Sequence, residues 1–462
     1  MTKEDETPLK LSKSHSEILR LAIPLIISNI SVPILSLFNI GVSGQMGQGR
    51  YVAAVVAAST MFNMFYWVLN FLRAGTSGLA AQAHGANNHH ERTIILYRAI
   101  VMAVAISLLL IVFRSPLGNF MVKVFAVQPE DVDIVIRFFN ICLLGAPAVL
   151  MTFAAMGWLV GSQSAMRPMW IALTVNALNV ALTYVFVYVM KKDVEGIAFG
   201  SITAQWIGLV VALSLCRKKI DKGKVTFSEV MHLKEFKHFF SVNADMFFRT
   251  LFLVAVTVWF NRVGYQQSRL VYAANSVLMN LYLTYTYAMD GFAHAGEALV
   301  GKYFGAKRPL RLSQTIRDNF KWNFMLVAIF SVVLSIWGVD LVKMLSNDVQ
   351  VAAIADDYVW WSVAMVVAGS VAFTWDGVYI GATASRAMLL TTFLSMLTFF
   401  ALYSLLYPSM GNNGLWLAFV ANLAVRSLVQ TLLARRSVYA RCDGNVQEYR
   451  NRLHTIRRFV QK

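Results

Sequence analysis

The residues 157–161, GWLVG, return 220 positions later as GVYIG at 377–381, and both glycines of the motif are kept. Three further matches have the same offset: HGANN at 84–88 with FGAKR at 304–308, Val122–Lys123 with Val342–Lys343, and Ala53–Ala54 with Ala273–Ala274. Each match alone is at the level of chance. Four matches in the same order, without a net insertion over more than a hundred residues, indicate that the chain is an internal repeat.

Between these motifs the sequence is strongly apolar. Of the 462 residues, 57% are hydrophobic and 14% are charged, and the mean hydropathy is +0.57. Soluble domains are closer to about 45–50% apolar and about 25% charged. The apolar residues form runs long enough to cross a bilayer, which needs roughly 20 residues of helix. Twelve spans are predicted, at residues 17–42, 51–82, 93–114, 133–161, 168–190, 196–216, 239–263, 270–302, 318–340, 357–383, 388–408 and 413–434.

Basic residues give the chain a formal net charge of +17. They lie mainly in the central linker, after the eighth span and in the C-terminal tail, which is a distribution that orients a membrane protein. Nucleic acid is therefore not an expected partner. Lys and Arg are rarer in the alternate connections, with Lys191 and Lys192 as the exception. This bias predicts that both termini face the cytoplasm.

An offset of six spans preserves the direction of each helix, so the halves are predicted to be parallel repeats. The predicted fold is all-α and integral to the membrane, with about 12 transmembrane helices in two parallel-repeat six-helix bundles. Rocking of two such bundles opens the cleft between them to alternate sides; the alternative is a duplicated scaffold without transport. The predicted parts are a cytoplasmic N-terminal segment at 1–16, an N-lobe at 17–216, a basic cytoplasmic linker at 217–238, a C-lobe at 239–434 and a basic cytoplasmic tail at 435–462.

Polar side chains inside the predicted spans are candidate functional residues, because they are costly in lipid. In the N-lobe they are uncharged: Asn39 lies in the first span, and Asn176, Asn179 and Thr183 share one face of the fifth. They either form a polar pocket or act as hydrogen bonds between helices, each worth about 1 kcal/mol or less. Arg73, in the second span, requires a carboxylate or carbonyl partner.

The acidic residues lie in the C-lobe. The candidates are Asp245, Asp290, Glu297 and Asp376, with Arg249 and His294 as supporting residues. Asp245 and Arg249 are four residues apart, so they are expected to pair along one helix face. His294 lies at helical spacing between two carboxylates, where an imidazole titrates near neutral pH. One interpretation of the set is proton or cation coupling, and the other is a static ion-pair network.

Two prolines, Pro24 and Pro33, fall within the first span. Each removes a backbone hydrogen bond and favours a kink, which is either fixed or a hinge that changes during transport. The sequence has no GxxxxGK[ST], HExxH or CxxC motif. We therefore expect a transporter and not an enzyme, without a metal or cofactor, and with H+ or Na+ as its coupling ion.

Longer motifs place the chain in a family. They are LRLAIPLIISNISVPILSLFNIGVSGQM in the first span, AGTSGLAAQAHGA in the second, GWLVGSQSAMRP after the fourth, and DGFAHAGEALVGKYFGAKR and WDGVYIGAT in the second half. Over nearly its whole length the chain resembles multidrug and toxic compound extrusion (MATE) transporters, in particular their DinF-like branch. This resemblance implies two lobes of six helices around a cleft, and a cation-driven antiporter that expels organic cations and other amphipathic toxic compounds.

The sequence departs from this branch at its usual proton site. The branch carries an aspartate where this chain has Asn39, and the related acid of the fifth span corresponds to Thr183. Asn176 and Asn179 match the family pattern. An amide does not titrate, so coupling has moved to the C-lobe acids, or is disabled, or follows another route. We favour the C-lobe set.

The expected function is therefore secondary antiport of amphipathic or cationic small molecules, including drugs, coupled to a proton or sodium gradient by alternating access. The alternative is a flippase for a lipid-linked intermediate with the same two lobes. Such a cleft needs strong positive charge for a pyrophosphate, and Arg73 and Arg249 are the obvious deep cations. The expected partners are the lipid bilayer and small-molecule substrates, and the protein is expected to be a monomer in a plasma membrane, the bacterial inner membrane.

Overall fold

The structure of the chain is a computed structural model that describes residues 11–44, 49–125, 127–221, 223, 225–345 and 349–443. Within these ranges the chain is helical and contains no strand. The predicted N-terminal segment is described from Leu11 onward, and the predicted basic tail as far as Asp443. The rest of both segments, and the linker residues Lys222 and Lys224, lie outside the described residues.

The helices of the first half are interrupted more often than predicted. They are α1 (Leu11–Gly44), α2 (Gly49–Leu69), α3 (Phe71–Gly85), α4 (His89–Val112), α5 (Arg114–Val124), α6 (Val132–Leu143), α7 (Ala146–Gly161), α8 (Met166–Tyr184), which continues as a π-helical turn at Val185–Val189, and α9 (Asp193–Arg217). The predicted spans 51–82 and 133–161 are thus each two helices, and the predicted connection after residue 114 contains α5.

The helices of the second half are longer. A short helix, α10 (Phe227–Val230), lies in the linker. It is followed by α11 (Leu233–Gln267), α12 (Arg269–Gly305), α13 (Pro309–Leu345), α14 (Val349–Gly381), α15 (Ser385–Met410), α16 (Asn412–Ala434), a π-helical turn at Arg435–Tyr439, and α17 (Ala440–Asp443).

Proline explains two of the breaks that are confined to the first half. Pro116 lies in the first turn of α5, and Pro147 lies in the first turn of α7, which is bent by 51° from α6. Proline lacks the backbone N–H that would continue the preceding helix. The residues at the same offset of 220 in the second half are Ile336 and Val367. Both are compatible with a helix, and α13 and α14 run through these positions without a break.

The turns that follow equivalent helices repeat as closely as the sequence motifs. Among the described residues, those with positive φ form three pairs at an offset of 220: Asn87 with Lys307, Gln163 with Thr383, and Lys191 with Gly411. The left-handed region is unfavourable for most side chains, and more so for a β-branched one. A conformation that is kept at both members of each pair, across such different side chains, is set by the fold and confirms the repeat.

Helix packing repeats as well. A Cβ atom at Gly157 of α7 would overlap the backbone carbonyl of Arg73 of α3, and one at Gly377 of α14 would overlap the carbonyl of Ala293 of α12. Arg73 and Ala293 are themselves 220 residues apart. Small residues allow helix backbones to approach this closely in membranes. The spacing of glycines that suggests the repeat therefore marks the same helix–helix contact in each half.

A further glycine pair shows how the repeats are related. Gly85 lies against the backbone carbonyl of Lys302, and Gly305 lies against the carbonyl of Gln82. Because 82 and 302 are also equivalent positions, the contact is reciprocal, as expected where a two-fold axis relates two copies.

The helices have the length and composition of membrane spans. In the described residues nine helices are long and apolar enough to cross a bilayer, and the bent pair α6–α7 makes ten. The α2–α3 pair and α12 occupy the remaining two positions of the predicted twelve. α12 is 37 residues long and carries several of the candidate ionisable residues, which lowers its hydropathy.

The chain divides into two compact units. The second-half unit comprises Met1–Ile26, Ala81–Asn87 and Ala244–Lys462, and the first-half unit comprises Ile27–Ala80 and Asn88–Asn243. The predicted lobes 17–216 and 239–434 divide the chain by its repeat, whereas the compact units exchange the leading turns of α1 and α11. Each unit has its own apolar core, which includes Tyr285, Phe399 and Trp416 in one and Phe62 and Phe139 in the other.

Candidate functional site

The most densely bonded ionisable residue of the second-half unit is Asp376 of α14. Its Oδ2 accepts hydrogen bonds from Arg249 Nη2 of α11 at 2.5 Å and from Arg426 Nη2 of α16 at 3.2 Å. Its Oδ1 accepts from Gln430 Nε2 of α16 at 2.8 Å. All four side chains lie inside the unit, and Asp376 itself is 9% exposed. One carboxylate thus joins three helices through two charge-assisted bonds and one amide bond.

Sequence reasoning identified Asp376 and Arg249 here but missed Arg426 and Gln430. The signal for both was present, since each is a polar residue inside the apolar run of the twelfth predicted span, and they are four residues apart. Arg426 also lies over the ring of Phe373, with its Cζ 5.6 Å from the ring centroid.

The predicted pairing of Asp245 with Arg249 is wrong, because each side chain has a different partner. Asp245 Oδ2 accepts a hydrogen bond from Ser385 Oγ, at the start of α15, at 2.6 Å. Arg249 instead bonds to Asp376. The i, i+4 spacing places two side chains on one face but does not choose between partners on the same helix and on a neighbouring one.

A second cluster of ionisable residues lies on α12. Glu297 is fully buried, and its Oε2 is 3.5 Å from Nδ1 of His294. Asp290 lies close enough to Arg249 for a Coulombic attraction. The residues predicted to flank His294 therefore differ in their surroundings, with Glu297 next to the imidazole and Asp290 acting on the arginine of the first cluster.

A neutral network on α13 and α14 lies beside these groups and was also missed by sequence reasoning. Asn323 of α13 donates from Nδ2 to the carbonyl of Ser370 at 2.7 Å and to Thr374 Oγ1 at 2.5 Å. Asn323 is fully buried. An asparagine in a long apolar helix was the available signal, and its role is to join α13 to the helix that carries Asp376.

In the first-half unit, the predicted amides bond to different helices. Asn176 donates to Ser31 Oγ of α1 at 2.7 Å, and Asn179 donates to Ser201 Oγ of α9 at 3.1 Å. Thr183 donates to Asn179 Oδ1 at 3.2 Å. The side chain of Asn39 lies outside the described residues. The contacts of the other three are hydrogen bonds between and within helices, the second of the two roles considered for them.

Arg73 and the two prolines of α1 were the remaining predicted residues. Arg73 Nε donates to Asn70 Oδ1, the side chain at the break between α2 and α3, at 3.2 Å. Pro24 and Pro33 both lie within α1, which is assigned as one helix from Leu11 to Gly44. The boundary between the two compact units crosses α1 at Ile26–Ile27, between the two prolines. Their role as a hinge stays a prediction.

The described residues contain no group of three or more His, Cys, Asp or Glu side chains arranged to hold a metal ion. The ionisable groups of the site are therefore bound to one another and to neighbouring polar side chains. Buried charges of this kind inside membrane helices are typical of ion and substrate pathways.

Two parallel repeats of membrane helices, with ionisable residues buried in one of them, define a polytopic membrane transporter. The family model MatE matches the chain twice, at residues 24–185 and 244–403, and the two matches begin 220 residues apart. The chain belongs to this family, the multidrug and toxic compound extrusion transporters, and is not an enzyme.

Relatives and solved structures agree with this assignment. The chain is 32% identical to DNA damage-inducible protein F of Escherichia coli strain K12 over 434 residues, which are 92% of this chain and 93% of that protein. It is 21% identical to a probable multidrug resistance protein NorM of Photorhabdus laumondii, over 73% of this chain and 76% of that protein. Its fold is similar to an outward-facing multidrug resistance MATE transporter of the MOP superfamily, with a TM-score of 0.84, 17% identity and coverage of 94% and 99% of the two chains.

Proposed function

We propose that this transporter exports amphipathic organic cations by antiport with protons, and that the proton is carried by the acids of the second-half unit. The observation that carries the proposal is the fully buried Glu297, 3.5 Å from the imidazole of His294 inside a membrane helix. A carboxyl group and an imidazole both change protonation at accessible pH, whereas an arginine stays charged. Glu297 is accordingly the residue best suited to exchange the coupling proton.

The other acids have supporting roles in this proposal. Asp376 is bonded to two arginines and an amide, which suits an anchor between helices more than a site that is repeatedly protonated. Asp290 links the two clusters, since it attracts Arg249 and lies on α12 with Glu297. Asp245 is bound by the hydroxyl of Ser385, so it is available as a secondary carboxylate.

The first-half unit supports the same assignment by its chemistry. The described contacts of Asn176, Asn179 and Thr183 involve only amides and hydroxyl groups, which do not titrate. A coupling site in these residues would therefore need another group. The acids of the second-half unit are the nearest alternative that the chain provides.

Export of cations is favoured over flipping of a lipid-linked pyrophosphate. Two deep arginines of the second-half unit, Arg249 and Arg426, are bound by the same carboxylate. Their charge is partly neutralised there, whereas a pyrophosphate needs exposed guanidinium groups for bidentate contacts.

We further propose that the protein acts as a monomer in a bacterial inner membrane, with both termini in the cytoplasm. The proposed orientation is supported by the basic residues that are concentrated in the central linker, after α12 and in the C-terminal tail.

The test is transport by purified protein in liposomes. Uptake of a panel of fluorescent organic cations is measured under an imposed pH gradient, under an imposed sodium gradient, and with neither. We expect the pH gradient alone to drive accumulation of at least one dye. Accumulation that follows only the sodium gradient would replace the proton by sodium, and flux that ignores both gradients in every dye would overturn the proposal.

A further inference from the structure

The linker between the two repeats is bound to α4 and α7 of the first-half unit. Arg92 Nη2 of α4 donates to the carbonyl of Lys219 at 3.0 Å, and Lys219 Nζ donates to the carbonyl of Ser162, which follows α7, at 2.8 Å. The backbone N–H of Asp221 donates to Thr93 Oγ1 of α4 at 3.0 Å. The linker is therefore fixed at several points before α11 begins.

One buried arginine holds the last part of the linker. Arg98 of α4 is 3% exposed. Its Nε donates to the carbonyl of Val230 at 3.0 Å and its Nη2 to the carbonyl of Glu229 at 3.1 Å, at the end of α10. Its Nη1 donates to Glu91 Oε1 at 2.8 Å. Three acceptors around one planar guanidinium form a geometry that the single ammonium group of lysine does not reproduce.

We infer that Arg98 is a positioning residue for transport, which clamps the linker and thereby fixes the leading end of α11, and that protonation of His90 tightens this clamp. α11 begins at Leu233, three residues after Val230, and carries Asp245 and Arg249 further along the same helix. A rigid helix is a physical means of carrying a displacement between distant sites. The consequence for transport rests on the proposed function above, whereas the clamp itself does not.

The equivalent position of the second repeat has a corresponding contact. Asp318 of α13 is 220 residues after Arg98 and is fully buried. Its Oδ2 accepts a hydrogen bond from Ser14 Oγ at 2.8 Å, in the leading turns of α1. Nearby, Tyr303 donates to Glu17 Oε2 of α1 at 2.7 Å. One position on the third helix of each repeat thus holds the segment that leads into a repeat, with opposite charge in the two cases.

The clamp includes a titratable group. His90, at the start of α4, lies 3.4 Å from Glu229 Oε1 through Nε2 and 4.0 Å from Asp221 Oδ2 through Nδ1. Hydrogen bonds from the backbone and side chain of Thr226 lower the pKa of Glu229, which therefore stays a carboxylate. An ordinary imidazole becomes charged between about pH 8 and 5. Protonation adds a positive charge between two carboxylates of the linker, so the clamp is tighter below the titration of His90 and looser above it.

The other charges around His90 do not reverse this sign. They are His89, Glu91 and Arg92 on α4, Arg98 behind the carbonyl of Glu229, and Lys219 and Arg167 beside Arg92. Arginine and glutamate keep their charge between pH 5.5 and 7.5. The pKa of Lys219 is about 8 in the docked linker, so this lysine is mostly protonated in the same interval.

The test measures the mobility of the linker directly. Phe227 of α10 is 74% exposed, and a nitroxide is attached to a cysteine at this position (F227C). Its electron paramagnetic resonance spectrum is recorded at pH 5.5 and 7.5 in the full-length protein. Protein without F227C, labelled in parallel, corrects for the native cysteines, which are buried in the structure.

We expect a larger immobile fraction at pH 5.5 than at pH 7.5. In Arg98→Gln the label should be mobile at both pH values, and Arg98→Lys should be intermediate. In His90→Gln the spectrum at both pH values should match that of the parent at pH 7.5. Because His90 is partly exposed, this last variant tests the clamp independently of whether Arg98→Gln folds.

Arg137→Gln is the matched control, since Arg137 lies in the same unit, is exposed, and faces Glu195 away from the linker. It should leave the mobility of the label unchanged. The inference is overturned if the parent spectrum does not depend on pH, or if Arg98→Gln holds the label as firmly as the parent. If the clamp is confirmed, Arg98→Gln should lower the turnover of dye export more than it changes KM, because Arg98 lies outside the site. An unchanged turnover would then reject its role in transport while leaving the clamp established.

Discussion

Arg249 of α11 and Asp376 of α14 are 127 residues apart in the chain and are joined by a hydrogen bond of 2.5 Å. The same carboxylate binds Arg426 and Gln430 of α16. Three helices of the second-half unit therefore depend on one acid. Its removal leaves two buried guanidinium groups without their shared anion, which is the situation in which a buried ion pair matters most for stability.

We predict that Asp376→Asn destabilises the protein strongly. Breaking a buried ion pair by removing one partner costs about 3–5 kcal/mol, and Tm in detergent should fall accordingly. Asp340→Asn is the control, since Asp340 pairs with Lys343 at 3.8 Å on an exposed surface, where ion pairs contribute about 0–1 kcal/mol. Equal Tm values for the two variants would show that the Asp376 network does not hold the helices together.

The repeat leads to a prediction about glycine. Gly157→Ala and Gly377→Ala each place a methyl group against a backbone carbonyl of the neighbouring helix. Overpacking of this kind costs about 1–3 kcal/mol, and the two variants should lower Tm by similar amounts. At Gly118 the same methyl group would make an ordinary contact with the ring of Phe139, so Gly118→Ala should be nearly neutral. A tolerated change at only one of the paired glycines would contradict the equivalence of the two contacts.

Much of the fold was predictable because the signals are local or periodic. Apolar runs indicate spans, the offset of 220 indicates two halves, and Pro116 and Pro147 mark breaks that the continuous predicted spans overlooked. The left-handed conformations of Lys191 and Thr383 had no local signal, since neither residue favours them.

The site was predictable in composition but not in connectivity. Ionisable residues inside apolar runs pointed to Asp376, Glu297 and Arg249, and the same rule applied to Arg426 would have completed the cluster. The choice of Asp376 over Asp245 as the partner of Arg249 depends on how α11 packs against α14, which helical spacing does not specify. The repeat does not help either, because Asp376 and Glu297 correspond to Met156 and Ser77 in the first half.

The linker provides a prediction about pH. Burial, together with the nearby cations Arg167 and Arg92, lowers the pKa of Lys219 from 10.5 to about 8. Docking of this lysine is therefore disfavoured while the amine is protonated, and the docked linker gains stability as pH rises from about 8 towards 10.5. Competitive acetylation with mass spectrometry should give a midpoint near 8 for Lys219, and a midpoint near the ordinary value of about 10.4 for its exposed neighbour Lys218.

A variant of Arg92 serves as the check on the cause. Arg92→Gln removes one of the cations and should raise the pKa of Lys219, with Lys218 unchanged. If Lys219 and Lys218 titrate together in the parent protein, Lys219 is not docked as the structure describes.

The amides of the first-half unit should contribute to stability and not to coupling. Asn179→Leu removes the hydrogen bond to Ser201 and the acceptor of Thr183. Such bonds contribute about 1 kcal/mol or less in membrane helices, so a small fall in Tm is expected. Dye accumulation under a pH gradient should persist. Loss of the gradient response in a folded Asn179→Leu protein would place coupling in the first-half unit instead.

The most direct measurement of the central claim compares the parent protein with Glu297→Gln in liposomes. Glutamine keeps the size of the side chain but does not exchange a proton. We predict that Glu297→Gln folds and still equilibrates a fluorescent organic cation down its own gradient, but does not accumulate it when a pH gradient is imposed. Accumulation by Glu297→Gln to the level of the parent, under the same pH gradient, would contradict the assignment of the coupling proton to this residue.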